Sequence, residues 1–147
     1  YSAMNLGAFS IISIVEGDDT GMTFRDYRGL AAKHPWLAIS MAIFMVSLAG
    51  FPPTAGFIAK YGLLSSAAAN GYIWLVIIAV INTLLSAYYY LRLIVNMYMR
   101  NKDETIEATW VGLNKVFVGV LALMILLFGV IPGYLLEIAD KATVTVF

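Results

Sequence analysis

The sequence has no cysteine, a single histidine, and charged side chains at only 12% of its 147 positions. Without cysteine the chain forms no disulfide, binds no iron–sulfur cluster through its own thiolates and builds no thiolate zinc site. One histidine, His34, does not make a metal-ligand cluster, and no phosphate-cradling glycine loop or hydrolase triad can be read, so no metal site is expected. Basic and acidic residues balance at nine each, without the basic surplus that a nucleic-acid partner requires. No basic stretch followed by a small-residue cleavage site opens the chain, which excludes a signal peptide there. It opens at Tyr1 inside an apolar run and reads as a piece of a longer protein.

What is abundant is apolar. Hydrophobic residues make up 61% of the chain, against roughly 45–50% in soluble domains. A fold of this size cannot hide that much apolar surface from water, so lipid must be part of its solvent. The fold class expected is an all-α membrane protein. It would have about three full transmembrane segments, one of them a proline-broken helix, after a truncated first helix.

Four apolar segments carry that expectation. The first, 1–15, is too short to span a bilayer and reads as the end of a helix begun upstream. A polar stretch, 16–33, follows, with a turn signal at Asp18-Asp19-Thr20-Gly21 and a short surface helix expected over 22–33. The second segment, 36–69, has Lys60 as its sole charge. As one helix it would be about 51 Å long, against a hydrocarbon core of about 30 Å. It must therefore break, and Gly50-Phe51-Pro52-Pro53 near its middle supplies the break, since each proline removes a donor and clashes with the preceding turn. The third segment is expected over 72–99. A polar linker, Arg100 to Glu107, leads to a fourth over 111–131 that stops at Pro132-Gly133. The tail, 134–147, reads as interfacial.

Alternating crossings put Arg25, Arg28, Lys33, Arg92, Arg100, Lys102 and Lys115 on one side of the membrane and only Lys141 on the other. By the positive-inside rule the first side is the cytoplasm, or the matrix or stroma of an organelle, and the C-terminus lies outside. Trp36, Tyr88, Tyr89, Tyr90 and Trp110 fall near the cytoplasmic interface, and Tyr72, Trp74 and Tyr134 near the outer one, as aromatic anchors do.

Between His34 and Leu91, Lys60 is the only formally charged side chain. An ammonium at membrane depth costs roughly 2.5–3.5 kcal/mol on insertion scales. One explanation is snorkelling to the outer headgroups. The other is a buried functional amine, since Lys60 lies about 11 Å outward of the segment's midpoint and well short of Ala69 at ~1.5 Å per residue. The break favours the second, because it frees carbonyls of the first half-helix and donors of the next, which must meet protein or water. Broken helices of this kind line hydrated ion paths. A lysine held there can lose and regain its proton, which suits a relay rather than a nucleophile. Gly56, four residues back on the same face, leaves room for water or a neighbouring helix.

Other polar groups are weaker candidates for the path. Asn82 and Ser86 share a helix face, where interhelical hydrogen bonding is their ordinary role. Ser40 and Ser47 lie two turns apart, and back-bonding to their own helix is the expected use. His34, at the cytoplasmic edge before Pro35, is of a residue type that can accept or pass protons, although a lone interfacial histidine is ordinarily a surface residue. Arg92 reads as an interfacial anchor, and Asp103, Glu104 and Glu107 as solvated.

The runs NLGAFSII (5–12), YRGLAAKHPWLA (27–38), SLAGFPPTAGFIAKY (47–61) and SAYYYLRLIVNMY (86–98) together resemble the C-terminal part of subunit N of NADH–quinone oxidoreductase, respiratory complex I. PPTAGFIAK is the specific element, since it joins the helix break to the lysine. The resemblance implies an antiporter-like, proton-translocating membrane subunit of that translocase. Lys60 matches its proton-transferring lysine, on the outward half of the path. It implies that NADH, FMN, iron–sulfur clusters and quinone are bound by partner subunits, with no redox centre in this chain. The implied surroundings are the other membrane subunits, the lipid bilayer and a bacterial inner membrane. Sister subunit M typically carries glutamate at the lysine position, and Ala59 here replaces the usual preceding glycine. Two alternatives stand beside this: the large subunit of a multisubunit cation/proton antiporter, and a structural membrane subunit with a snorkelling Lys60.

Overall fold

A computed structural model describes residues 1–16, 23–24, 26–99, 112–131 and 133. The expected turn at 18–21, Arg25, the 100–111 stretch with Trp110, Pro132 and the 134–147 tail lie outside the described residues, as does the Lys115 side chain. Among the described residues there are six helices and no strand: α1 (Ser2–Glu16), α2 (Leu30–Lys33), α3 (Pro35–Ala49), α4 (Ala55–Ala69), α5 (Ile73–Met99) and α6 (Gly112–Val130). The class is all-α.

Helix α3 is the hub and packs against all five other helices. Leu37, Ala38, Met41, Phe44, Met45 and Leu48 are buried on it, a helical-period stripe. It meets Met4, Ala8, Ile11 and Val15 of α1 and Val118, Ala122 and Ile125 of α6, each set recurring at three- and four-residue steps. Where α1 crosses α3, Gly7 leaves the space that the Phe44 ring fills; a Cβ there would overlap the ring.

Helix α5 alone is long and apolar enough to cross a membrane by itself, among the described residues. Its 27 residues reach about 40 Å. None of its most apolar stretch is buried within the chain, unlike the core helix of a soluble protein. The apolar outer surface of α4 and α5, with Tyr61, Leu63, Trp74, Leu75, Ile78, Leu84 and Leu85 exposed, therefore suits a membrane protein. Helices α3 and α4, 15 residues each, reach about 23 Å apiece, short of the bilayer core, so the pair acts as one discontinuous element.

The surface helix expected over 22–33 is a correction. Among the described residues helix occupies only Leu30–Lys33, because Gly29 stands in the left-handed region at φ 69° and ends the preceding turn. Nor is this stretch simply surface: Tyr27 and Leu30 are buried, and the Gly29 N–H donates to the Asn96 carbonyl of α5. The Arg92 guanidinium lies over the Phe24 ring at 5.4 Å, so this anchor residue also ties the loop to α5. Arg28, Lys33 and Arg92 thus gather at one end of the bundle.

Candidate functional site

The run from α3 to α4 breaks at residues 50–54, where Gly50, Pro52 and Pro53 lie, with Pro52–Pro53 cis. A helix end leaves its last four carbonyls without intrahelical partners. At α3 these are Val46, Ser47, Leu48 and Ala49, and each has an identifiable donor. Gly50, at φ 86°, donates to the Ser47 carbonyl at 3.0 Å, and Phe51 donates to the Val46 carbonyl at 3.1 Å. That pair is a Schellman motif, and its left-handed residue is the reason for glycine.

Lysine supplies the rest. Lys60, the sixth residue of α4, donates from Nζ to the Leu48 carbonyl at 2.8 Å and to the Ala49 carbonyl at 3.2 Å. Helical side chains lean toward their own N-terminus, which carries this one back over the break. Gly50 clears the way: a Cβ there would stand 3.0 Å from Lys60 Cδ and 3.4 Å from Nζ. The amine thus turns inward to the break, not outward along α4 as snorkelling requires. It sits at the negative end of α3, where a cation is favoured. Two hydrogen bonds to a charged donor, at roughly 1.5–3 kcal/mol each, match or exceed the insertion cost of the lysine, about 2.5–3.5 kcal/mol.

The exchange runs in the other direction too. At the start of α4 the Gly56 N–H donates to Ser47 Oγ at 3.2 Å. Gly56 shares the Lys60 face as expected, and the neighbour it makes room for is the end of α3 itself; a Cβ would overlap the Ser47 carbonyl. Ser47 departs from expectation. It is fully buried and does not back-bond to its helix; its hydroxyl donates to Met4 Sδ of α1 at 3.4 Å while accepting from Gly56. Across the break, α4 therefore caps α3 with Lys60, and α3 caps α4 with Ser47. Thr54, 2% exposed, closes the loop by donating from Oγ1 to the Phe51 carbonyl at 2.6 Å.

The remaining candidates lie apart. His34 joins α2 to α3, about 24 Å along α3 from Gly50 at 1.5 Å per residue. Asn82 and Ser86 are on α5, which runs antiparallel to α4 past the turn at Asn70-Gly71. Ser86 Oγ donates to the Asn82 carbonyl of its own helix at 2.8 Å, so that hydroxyl is spent locally. Ser65 likewise bonds the Gly62 carbonyl, away from the break.

Sequence reasoning did not single out Gly129. This buried glycine of α6 lies against the loop so closely that a Cβ would overlap the Pro53 carbonyl and stand 2.5 Å from two Thr54 backbone atoms. Its signal in the sequence is faint, a small residue continuing the buried 118, 122, 125 stripe of an apolar helix.

The profile of the NADH:quinone oxidoreductase/Mrp antiporter transmembrane family matches residues 1–86, which include the break and Lys60. NADH-quinone oxidoreductase subunit N of Trichlorobacter lovleyi is 47% identical, the match covering 97% of this chain and 30% of that protein. Subunit N 1 of Thermodesulfovibrio yellowstonii is 40% identical over 92% of this chain and 29% of its own length. Among solved structures, respiratory complex I from Thermus thermophilus with bound aureothin contains a similar chain. The TM-score is 0.83 at 30% identity, over 92% of this chain and 31% of that one. The present chain spans about 30% of the length of the curated relatives it matches. On the family match, the chain belongs to the NADH:quinone oxidoreductase/Mrp antiporter transmembrane family.

Proposed function

We propose that this chain forms the C-terminal part of a proton-translocating subunit N of NADH–quinone oxidoreductase, and that Lys60 relays protons on the outward half of the path. The observation that carries this is the Lys60 amine on the Leu48 and Ala49 carbonyls, across a break in an apolar helix. A protonated Lys60 holds both carbonyls by charge-assisted bonds. Water reaching the break from the outer side accepts the proton from Nζ, which leaves a neutral amine with two N–H. Its bonds to the two carbonyls lose their charge assistance and weaken, and water in the break can then share those carbonyls, which in an apolar setting must keep donors. Reprotonation of the amine from the inner side restores the charge-assisted bonds.

Arg28, Lys33 and Arg92, gathered at the α3 start and the α5 end, support assigning that side to the cytoplasm of a bacterial inner membrane. The break and Lys60 then lie nearer the outside, and the C-terminus ends there. NADH oxidation and quinone reduction belong to partner subunits of the complex, with their FMN and iron–sulfur clusters. The other membrane subunits and lipid are this chain's immediate surroundings.

The test is Lys60→Met in the complete subunit, assembled in its complex and reconstituted in proteoliposomes. Methionine keeps the apolar stem and removes the proton carrier. The expected result is a clear fall in protons moved per quinone reduced, with the complex still assembled. Pumping at the wild-type ratio would leave Lys60 a structural cap and refute the relay.

A further inference from the structure

We propose that Gly129 is a positioning residue for Lys60: α6 holds the break in the geometry that lets the amine reach both carbonyls. The inference rests on the relay reading above and extends it to a helix outside the family-matched stretch of residues 1–86.

Three observations converge on it. At Gly129 the α6 backbone meets the loop backbone directly, at the Pro53 carbonyl and at Thr54, with no side chain between them. Backbone contacts cannot yield as a side chain can, so the position of α6 sets that of residues 53–54. Those residues start α4, and Lys60 follows two turns later on the same helix. Finally, α6 is itself seated: Val118, Ala122 and Ile125 are buried in the common core and α6 packs on α1, α3 and α4. The loop is thus gripped between α3, which supplies the carbonyls, and α6, which fixes where α4 begins.

Adding a methyl group at Gly129 pushes α4 away from α3 and draws Nζ off Leu48 and Ala49. A misplacement of about 1 Å at a reacting group can cost ~100-fold. Gly119, on the same helix, is the built-in control. A Cβ there would meet Trp36 Cζ2 at 3.0 Å, a contact with a side chain 53% exposed within this chain rather than with backbone.

The experiment compares Gly129→Ala and Gly119→Ala in the assembled, reconstituted complex, each with Lys60 and with Lys60→Met. Gly129→Ala is expected to slow proton transfer through this subunit about tenfold or more, to add nothing once Lys60→Met is present, and to leave assembly intact. Gly119→Ala should pump as wild type. If Gly129→Ala does not assemble, Ile125→Val trims one methyl group a turn earlier on the same stripe and should give a smaller loss, again confined to the Lys60 background. Wild-type pumping in the assembled variant, or an equal fractional loss in the Lys60→Met background, would overturn the positioning role. Undiminished pumping by Lys60→Met alone would overturn the relay and this inference with it, whereas loss in Lys60→Met beside normal Gly129→Ala would remove only the inference.

Discussion

Helices α3 and α4 are two 15-residue halves of one apolar run, yet they live in different surroundings. Nine residues of α3 are buried within the chain, and only Gly56 of α4. Composition does not explain this, since both halves are rich in apolar side chains. Position does: α3 is enclosed by five helices, whereas α4 leans on the bundle along one edge and presents Tyr61 and Leu63 outward. Within this chain the half that supplies the carbonyls is enclosed, and the half that carries the lysine is mostly uncovered beyond the seam. The proposed relay draws on that asymmetry, an enclosed acceptor frame and a more exposed donor.

Substitutions can break or sharpen this contrast. The largest effect is expected at Phe44, fully buried on α3 against Gly7. Phe44→Ala should cost about 3–5 kcal/mol, read as lower yield and an earlier thermal transition of the purified complete protein. Ser47→Ala is intermediate. It strands the Gly56 N–H at the seam between the halves and should cost about 1–3 kcal/mol, with faster hydrogen exchange at Gly56 as its local signature. The smallest is Leu63→Ala on α4, where the side chain is 72% exposed within this chain; a change within about 0.5 kcal/mol is expected. A Leu63 cost as large as that of Phe44 would show that α4 is gripped as firmly as α3, and the asymmetry would be gone.

The break and its lysine were legible in the sequence because both are local signals. Two adjacent prolines cannot continue a helix, and one charge in a long apolar run has few reasons to be there. Together they favoured a buried amine over snorkelling, since Lys60 lies well short of Ala69, but they did not show which groups the amine would reach. That is decided by Gly50, whose missing side chain opens the inward route. Ser47 was misjudged because back-bonding is the usual fate of a serine in an apolar helix; its actual partners, Met4 and Gly56, come from a third helix and from across the break. Gly129 was hidden for a related reason. It meets Pro53 from 76 positions further along the chain, and a glycine in an apolar helix carries no mark of what it faces. The short helix at 30–33 was overextended because the pattern of 22–33 did not register that Gly29 would turn left-handed.

The most direct measurement is isotope-edited infrared spectroscopy of the complete protein, with carbon-13 carbonyl labels at Leu48 and Ala49. The account predicts strongly hydrogen-bonded, red-shifted carbonyl bands at rest. They should move to higher frequency in Lys60→Met and change transiently when the wild-type complex turns over. Bands that are the same in wild type and Lys60→Met, and static through turnover, would contradict it.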